Sequence, residues 1–391
     1  MYKIQTLNKI STIGIELFAR EKYEIASEII NPDAILVRSA SMLEMELPVS
    51  VKAVARAGAG VNNIAVEKCS ERGVVVFNTP GANANGVKEL VLAGMLLSSR
   101  KIIPGIAWAR SLVGKGDEVP KLIEKGKSDY TGPEIKGKRL GVVGLGAIGV
   151  MVANDAVELG MQVTGYDPFI SVEAAWGLSR NVKRARGLEG LLAESDYITL
   201  HIPLNDKTKG LINRERMAIM KKGVRILNFA RGGLVNNEDL KDALKEGLVS
   251  SYVTDFPDED LLKLDNVIPF PHLGASTPEA EDNCAIMAVN QIRDFLEHGN
   301  IKNSVNFPDC ELDTFGSSHR LVIANKNVPN MVGQITTILA SEKINIADMI
   351  NRHKGDYAYN IIDIDNVIPS LAIDKLKSID GVIMVRQINR E

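Results

Sequence analysis

A glycine-rich turn between an apolar run and a helical pattern constrains this chain most. Residues 140–143 predict a buried parallel strand, and the turn after them contains Gly144, Gly146 and Gly149. Gly144 permits a tight turn, Gly146 lets the backbone approach a pyrophosphate, and Gly149 lets the helix pack closely on the strand. Backbone amides at the start of such a helix bind phosphates, which predicts a dinucleotide-binding βαβ unit. The residues expected to line the phosphates are Gly144, Gly146, Ala147, Ile148 and Gly149.

A second strand pattern, at 162–166, ends in Asp167, eighteen residues beyond Gly149. This spacing is close to the one at which an acid binds the adenosine ribose. Such a carboxylate accepts hydrogen bonds from the ribose hydroxyls and repels a 2′-phosphate, so the expected cofactor is NAD rather than NADP. A simple turn at the strand end is the alternative interpretation of Asp167.

Length and composition limit the class of protein. With 391 residues the chain is too long for one ordinary domain, so two or three are expected. A net charge of −3 gives no reason to expect nucleic acid or an anionic membrane as a partner. The apolar runs are too short to span a bilayer, and no signal-peptide pattern opens the sequence. Three separated cysteines without a CxxC pair indicate reduced thiols, so a cytoplasmic protein without a metal site is expected.

Strand and helix patterns alternate in the first 77 residues, which predicts a parallel sheet with helices on both faces. Two polar, glycine-bearing loops follow strands there, at 56–63 and 78–86. Ligands in such sheets bind beyond the carboxyl ends of the strands, so both loops are candidate binding loops, with ordinary connections as the alternative. The poorly patterned segment 112–137 predicts a surface loop.

Three residues that carry chemistry follow strand ends in the half with the glycine turn: Arg231, Glu259 and His272. Hydride exchange between an alcohol and a ketone needs a base for the hydroxyl proton, a carboxylate that orients the base, and a guanidinium for a substrate carboxylate. The three residues fit these roles. Glu259 lies in an acidic run with Asp258 and Asp260, and the sequence leaves open which of these acids pairs with His272. Further residues expected to contact the cofactor are His201, Pro203, Ala230, Asp255 and Gly274.

Periodicity stops near residues 302–318, whose composition is typical of a linker. From His319 onward a βαββαβ pattern covers roughly seventy residues, which is the ferredoxin-like arrangement. A unit of this kind has an exposed sheet edge or face that a second copy could cover. Self-association is therefore predicted, and a purely structural tail is the alternative.

Four motifs together resemble the D-isomer-specific 2-hydroxyacid dehydrogenase family: 144–149 with Asp167, 228–233, 256–259 and 271–274. The resemblance covers nearly all of residues 1–305. It implies an α/β fold with two doubly wound parallel-sheet lobes, one Rossmann-type and one flavodoxin-like, followed by the C-terminal βαββαβ domain. The implied domains are a discontinuous substrate-binding domain at 1–100 and 282–305, an NAD-binding domain at 101–281, a linker at 306–317 and an ACT-like regulatory domain at 318–391.

The resemblance also implies roles for the site residues. Arg231 would bind the substrate carboxylate, Glu259 and His272 would form the acid/base pair, and Arg56 would bind a substrate phosphate. The residues expected to contact the substrate are Arg56, Ala57, Gly58, Ala59, Gly60, Asn78 and Arg231. One departure stands out, because the family usually has Asp-Val-Phe where this chain has Thr254-Asp255-Phe256.

For the C-terminal domain the resemblance implies a homodimer or homotetramer and an amino-acid effector, most often L-serine. The residues expected to bind it are Asn325, Asn327 and Asn345. The implied reaction is NAD-dependent oxidation of D-3-phosphoglycerate, the first step of L-serine biosynthesis. Two alternatives are another activity of the family, such as reduction of glyoxylate or hydroxypyruvate, and a dinucleotide-sensing protein without turnover.

Overall fold

The computed structural model describes residues 1–312 and 319–389. The chain forms two compact units, Met1–Asn83 with Pro278–Glu391, and Ala84–Thr277. The domain boundaries expected from the sequence stay predictions. Residues 313–317 of the expected linker and residues 318, 390 and 391 of the expected C-terminal domain lie outside the described residues.

The first lobe of the first unit is a five-stranded parallel sheet in the order β2-β1-β3-β4-β5. This is the flavodoxin-like order expected from the sequence. Its central strands are buried on both faces, as uninterrupted apolar runs require. The elements are β1 (Tyr2–Leu7), α1 (Thr12–Ile15), β2 (Tyr23–Ala26), β3 (Ala34–Val37), β4 (Ala53–Arg56), α2 (Val66–Glu71) and β5 (Val75–Phe77).

The second unit contains a seven-stranded parallel sheet in the order β12-β11-β10-β9-β6-β7-β8. The strand order reverses between β6 and β9, and ligands bind at such a switch point. The elements are α3 (Ala84–Ser99), α4 (Ile102–Ser111), α5 (Val119–Gly126), β6 (Arg139–Val143), α6 (Ala147–Glu158), β7 (Gln162–Tyr166), α7 (Val172–Gly177), β8 (Lys183–Arg184), α8 (Leu188–Glu194), β9 (Tyr197–Leu200), α9 (Arg214–Ala218), β10 (Val224–Asn228), α10 (Asn237–Lys245), β11 (Val249–Thr254), α11 (Glu259–Leu262) and β12 (Val267–Pro269).

The prediction of a surface loop at 112–137 is wrong. This segment contains α5 and two short 3-10 helices, Gly116–Glu118 and Lys127–Tyr130. Proline in the first turn favours the start of α5. The rings of Trp108 and Tyr130 stack with their centroids 5.2 Å apart, which ties the segment to α4. Its high content of lysine and glycine concealed a short helix on which no residue is buried.

The rest of the first unit is α12 (Pro278–His298), β13 (His319–Lys326), α13 (Met331–Ser341), β14 (Ile346–Lys354), β15 (Tyr357–Ile364), α14 (Ser370–Lys377) and β16 (Val382–Asn389). The four strands form an antiparallel sheet in the order β14-β15-β13-β16, which is the expected ferredoxin-like topology. One face packs on α13 and α14, and the other joins a core with α12 and the first lobe. Of the two possibilities predicted, an exposed edge or an exposed face, the structure shows the edge, since helices cover both faces. Its two edges are β14 and β16.

Among the described residues no single helix is long and apolar enough to cross a membrane. The bent pair α3 and α4, with 67° between the two helices, reaches that length and composition only when both are taken together.

Candidate active site

The glycine turn is tight against the sheet and open on its outer side. Gly144 has a φ of 93°, and a Cβ there would lie 2.5 Å from the His201 carbonyl oxygen. A Cβ on Gly149 would lie 2.0 Å from the carbonyl oxygen of Gly144. A Cβ on Gly146 would meet nothing within 4 Å. The turn therefore leaves room for a pyrophosphate at Gly146, against the first turn of α6 with Ala147 and Ile148, whose amides have no partner within the helix.

Asp167 braces this turn from the end of β7. Its Oδ2 accepts a hydrogen bond from the Leu145 amide and its Oδ1 accepts one from the Phe169 amide, both at 2.8 Å. Each carboxylate oxygen has a second lone pair that can accept from a ribose hydroxyl. The half-buried acid thus lies beside the glycine turn, as its predicted role requires.

His201 stands just past β9, beside the switch point. Its amide donates to the Val143 carbonyl at 2.7 Å, and its Nε2 lies 2.9 Å from Thr199 Oγ1. Within residues 1–312 and 319–389 no hydrogen-bond partner reaches its buried Nδ1. Burial lowers the pKa of His201 to about 3, so the ring is neutral at physiological pH. Pro203, two residues on, is exposed, and its carbonyl accepts from Thr208 Oγ1 at 2.6 Å.

Asn228 organises the loop that carries Arg231. It is fully buried, and its Nδ2 donates to the Arg231 carbonyl at 2.9 Å and to the Tyr252 hydroxyl at 3.1 Å. Its Oδ1 accepts from the Ala230 amide at 3.2 Å. Arg231 itself is exposed, and its Nη1 donates to the Ala230 carbonyl at 2.7 Å. The sequence analysis missed the role of Asn228, although a polar residue that closes an apolar strand was the available signal.

Asp255 follows β11 and lies among the predicted catalytic residues. It is 4% exposed, and no group in the described part of the chain hydrogen-bonds to its Oδ1. Burial raises the pKa of its carboxyl, while the charges of His272 and Arg231 act in the opposite direction. The next residue, Phe256, packs its ring on the ring of His272 with 4.7 Å between centroids. Asp255, His272 and Arg231 therefore follow the carboxyl ends of three adjacent parallel strands, β11, β12 and β10.

Glu259 is placed differently. It is the first residue of α11, its side chain is 86% exposed, and it forms an ion pair with Lys263 at 3.1 Å. The acids on either side also have partners. Asp258 caps α11 by accepting from the Leu261 amide at 2.8 Å, and Asp260 pairs with Lys241 at 3.0 Å.

Gly274, at the end of the His272 loop, has a packing function. It is buried, and a Cβ on it would lie 2.9 Å from Val87 Cγ2. A Cβ on Gly86 would lie 2.8 Å from the Gly274 carbonyl oxygen. The His272 loop and the start of α3 therefore approach more closely than larger residues permit.

In the first lobe, Arg56 and Asn78 hold the glycine loop at 57–60. The Nε of Arg56 donates to the Arg38 carbonyl at 3.0 Å, and its Nη1 donates to the Gly60 carbonyl. Asn78 Nδ2 donates to the Ala59 carbonyl at 2.6 Å. Burial lowers the pKa of the Arg56 guanidinium. Ala57 is buried at one end of the loop. The carbonyl of the next residue, Gly58, accepts a hydrogen bond from the Thr79 amide at 3.1 Å.

The three asparagines expected to bind an effector do not come together. Asn325 is 1% exposed, and its Oδ1 accepts from Asn360 at 2.8 Å. Asn327 donates to the Gly355 carbonyl at 3.2 Å near the same end of the sheet. Asn345 donates to Asp365 at 2.7 Å and precedes β14. Asn325 pairs opposite residue 358 and the start of β14 opposite residue 364, so Asn345 lies roughly 20 Å away at about 3.4 Å per residue.

The fold and the site together define an α/β protein with a dinucleotide-binding glycine turn. Comparison with known proteins supports this class. The model of the D-isomer specific 2-hydroxyacid dehydrogenase NAD binding domain matches residues 92–274. A D-3-phosphoglycerate dehydrogenase from Haemophilus influenzae is 33% identical over 338 residues, which cover 84% of this chain and 78% of that protein. Its counterpart from Methanocaldococcus jannaschii is 36% identical over 323 residues, which cover 80% of this chain and 59% of that protein.

The crystal structure of NAD+-bound 3-phosphoglycerate dehydrogenase from Entamoeba histolytica has a TM-score of 0.59 at 27% identity, covering 78% of this chain and 98% of that one. The chain belongs to the D-isomer-specific 2-hydroxyacid dehydrogenase family, which confirms the resemblance inferred from the motifs. NAD is the cofactor of its matched domain. The chain spans 59%, 55% and 61% of the length of three curated relatives that it matches.

Proposed function

We propose that this protein oxidises D-3-phosphoglycerate to 3-phosphohydroxypyruvate with NAD+, the reaction that opens L-serine biosynthesis. The observation that carries the proposal is that Arg231, the buried Asp255 and His272 follow the carboxyl ends of the adjacent strands β10, β11 and β12, in the sheet that also holds the glycine turn. The names of the relatives support the choice of substrate.

The chemistry requires three actions from the protein. His272 takes the proton of the C2 hydroxyl, since a neutral imidazole is a suitable base near neutral pH. Arg231 binds the C1 carboxylate through paired hydrogen bonds and polarises the adjacent oxygen. A carboxylate orients His272 and stabilises its protonated form, and the family resemblance points to Glu259 for this part. The glycine turn and Asp167 would hold NAD+, which when bound would accept the hydride that leaves C2 as the C=O bond forms.

Arg56 supports a phosphorylated substrate. It ends β4 beside the glycine loop, and two of its nitrogen atoms hold backbone carbonyls, which fixes the direction of the guanidinium. A fixed guanidinium is well suited to a phosphate. An unphosphorylated 2-hydroxy acid has no phosphate for Arg56 to bind. The effect of replacing Arg56 therefore distinguishes the proposed substrate from the other substrates of the family.

The test is NADH formation from D-3-phosphoglycerate, D-glycerate and D-lactate by the wild type and by Arg56→Ala. We expect the wild type to prefer the phosphorylated substrate. Arg56→Ala should lower kcat/KM for D-3-phosphoglycerate roughly 10- to 150-fold, the value of a charged hydrogen bond of about 1.5–3 kcal/mol, and change D-glycerate little. The control is Arg72→Ala, because Arg72 also donates to two backbone carbonyls in the same lobe. Equal losses on both substrates would assign Arg56 a structural role only.

Two further parts of the proposal concern the C-terminal sheet. Its exposed edge strand β14 supports self-association by strand pairing, as a homodimer or homotetramer. L-serine as an effector and a cytoplasmic location stay predictions. Light scattering tests the assembly, and titration of L-serine during NADH formation tests the effector.

A further inference from the structure

We propose that a cleft between the edge strand β14 and the segment at 303–309 binds a small phosphate ester. The cleft has a volume of about 600 Å³. It is lined chiefly by Asn78, by residues 303–305, 308 and 309, and by Arg352 and Lys354 of β14. All of these residues belong to the first unit of the chain. Neither Arg56 nor the three asparagines expected to bind an effector lines it, so this is a separate site.

The pleat of β14 directs two basic side chains toward this cleft. Arg352 lies opposite Tyr359, and Lys354 lies opposite Tyr357, on the neighbouring strand β15. Directly opposed residues of an antiparallel pair point to the same face of the sheet. The rings of Tyr357 and Tyr359 contact the ring of Phe307, with centroids 5.5 and 6.4 Å apart. Arg352 and Lys354 therefore face the segment that contains Phe307.

Most N–H donors of these two side chains are available for a ligand. The Arg352 side chain forms no hydrogen bond or ion pair with residues 1–312 or 319–389. Lys354 donates one of its three N–H groups to the Ser304 carbonyl at 2.8 Å. Asp309 is the one acid among the described residues that line the cleft, and its Oδ1 accepts from the Asn303 amide at 2.8 Å. Two positive charges thus face one negative charge, which favours an anionic ligand.

A phosphate group suits these donors. The guanidinium of Arg352 presents paired N–H groups in a plane that matches two phosphate oxygens, and the ammonium of Lys354 adds a point charge. The volume of the cleft lies within the range of clefts that hold small organic ligands, roughly 300–1,000 Å³. The cleft therefore has room for the organic part of a phosphate ester as well as for its phosphate.

The cleft reaches the predicted substrate loop through Asn78. The amide of Asn78 donates to the Asn303 carbonyl at 3.4 Å, and its carbonyl accepts from the Gln291 side chain at 2.9 Å. Its side chain donates to the Ala59 carbonyl at 2.6 Å and so holds the glycine loop at 57–60. A ligand in the cleft would therefore contact a residue that positions the loop expected to bind the substrate.

The experiment measures binding of methyl phosphate and inorganic phosphate by isothermal titration calorimetry, at constant ionic strength and with saturating NADH to occupy the glycine turn. Arg56→Ala is the background, because it removes the predicted phosphate site of the substrate. This variant should bind one methyl phosphate per chain. Adding Arg352→Gln or Lys354→Gln should weaken that binding roughly 10- to 150-fold, as expected for the loss of one charged hydrogen bond. The matched control Arg20→Gln, at an exposed arginine of the first lobe, should leave it unchanged.

Unchanged binding in both Arg352→Gln and Lys354→Gln, or no binding to the Arg56→Ala background, would overturn the inference. Binding of inorganic phosphate without binding of methyl phosphate would overturn the assignment to an ester in favour of the free ion. If Arg56→Ala does not fold, the same substitutions are compared in the wild type, where Arg352→Gln should lose one of two bound esters and Arg20→Gln should lose neither. These titrations do not require turnover, so their failure leaves the proposed function standing.

Discussion

The buried polar groups of the C-terminal sheet and those at the carboxyl edge of the seven-stranded sheet differ in one respect. In the C-terminal sheet, Asn360 donates to Asn325 Oδ1 at 2.8 Å and accepts from Asn351 at 2.7 Å. At the other edge, Asp255 is also buried, with 4% of its surface exposed, but its Oδ1 lacks a partner among the described residues. Satisfied polar groups specify a structure, whereas an unsatisfied one retains bonding capacity for a reaction or a ligand.

The charged residues of the two regions differ in the same way. Arg320 and Asp363 form a bidentate pair at 2.7 and 3.1 Å, with side chains 1% and 0% exposed. Arg320 also donates to the His298 carbonyl at 2.9 Å, which joins the C-terminal sheet to the end of α12. Arg231, in contrast, is exposed, and its side chain donates to its own neighbour Ala230. Arg320 therefore stabilises the fold, whereas Arg231 keeps N–H donors available for a substrate.

The largest effect is expected for His272→Gln. Turnover should fall about 10²- to 10⁴-fold, because a positioned acid/base group contributes that much, while NADH binding should persist. Steady-state kcat and fluorescence titration of NADH measure the two quantities. The control is His353→Gln, an exposed histidine on β14, which should keep wild-type turnover. A folded His272→Gln variant with near-normal kcat would remove His272 from the mechanism.

Loss of the buried Arg320–Asp363 ion pair should lower the free energy of unfolding more than loss of an exposed pair. Asp363→Ala leaves Arg320 buried without its carboxylate, and we expect a loss of about 3–5 kcal/mol in the free energy of unfolding. Asp242→Ala removes an exposed partner of Arg214 and should change it by less than about 1 kcal/mol. Urea titration followed by circular dichroism compares the variants. Similar losses in both would show that burial does not separate these two pairs.

The asparagine chain should show a smaller effect of the same kind. Asn360→Ala removes the hydrogen bond to Oδ1 of Asn325, which is 1% exposed, and we expect a loss of about 1–3 kcal/mol in the free energy of unfolding. Asn345→Ala, at an exposed site, should stay within roughly 0.5 kcal/mol. The same urea titrations provide the values. A cost for Asn345→Ala as large as that for Asn360→Ala would contradict the distinction.

The smallest expected effect concerns cofactor choice. Asp167→Ala removes an acceptor for the ribose hydroxyls and the charge that repels a 2′-phosphate, so the preference for NAD over NADP should narrow roughly tenfold or more. The ratio of kcat/KM with the two cofactors measures it, with the exposed Asp117→Ala as control. A wild type that prefers NADP would refute the role of Asp167.

Local patterns predicted the parts of the molecule that depend on local sequence. The glycine turn is recognised from three glycines at fixed spacing. Arg231 and His272 are recognised because each follows an apolar strand pattern. The burial of Asp255 and the link from Asn228 to Tyr252 depend on contacts between strands, which no single segment encodes.

Tertiary context also explains the failures. α5 has no buried residue, and the segment that contains it is tied to α4 by the stack of Trp108 on Tyr130, a contact that its composition does not indicate. The second face of the C-terminal sheet packs in one core with α12, a helix that lies outside the βαββαβ pattern. Asn325 and Asn345 are close in sequence, and only the strand register shows that they lie at opposite ends of the sheet.

The most direct test of the account follows the hydride. The protein is incubated with NAD+ and D-3-phosphoglycerate deuterated at C2, and the reduced cofactor is analysed by mass spectrometry. If the edge with Arg231 and His272 removes the hydroxyl proton while the C2 hydride leaves, each NADH formed carries one deuterium and His272→Gln forms little of it. NADH without deuterium, or no NADH from this substrate, would contradict the account.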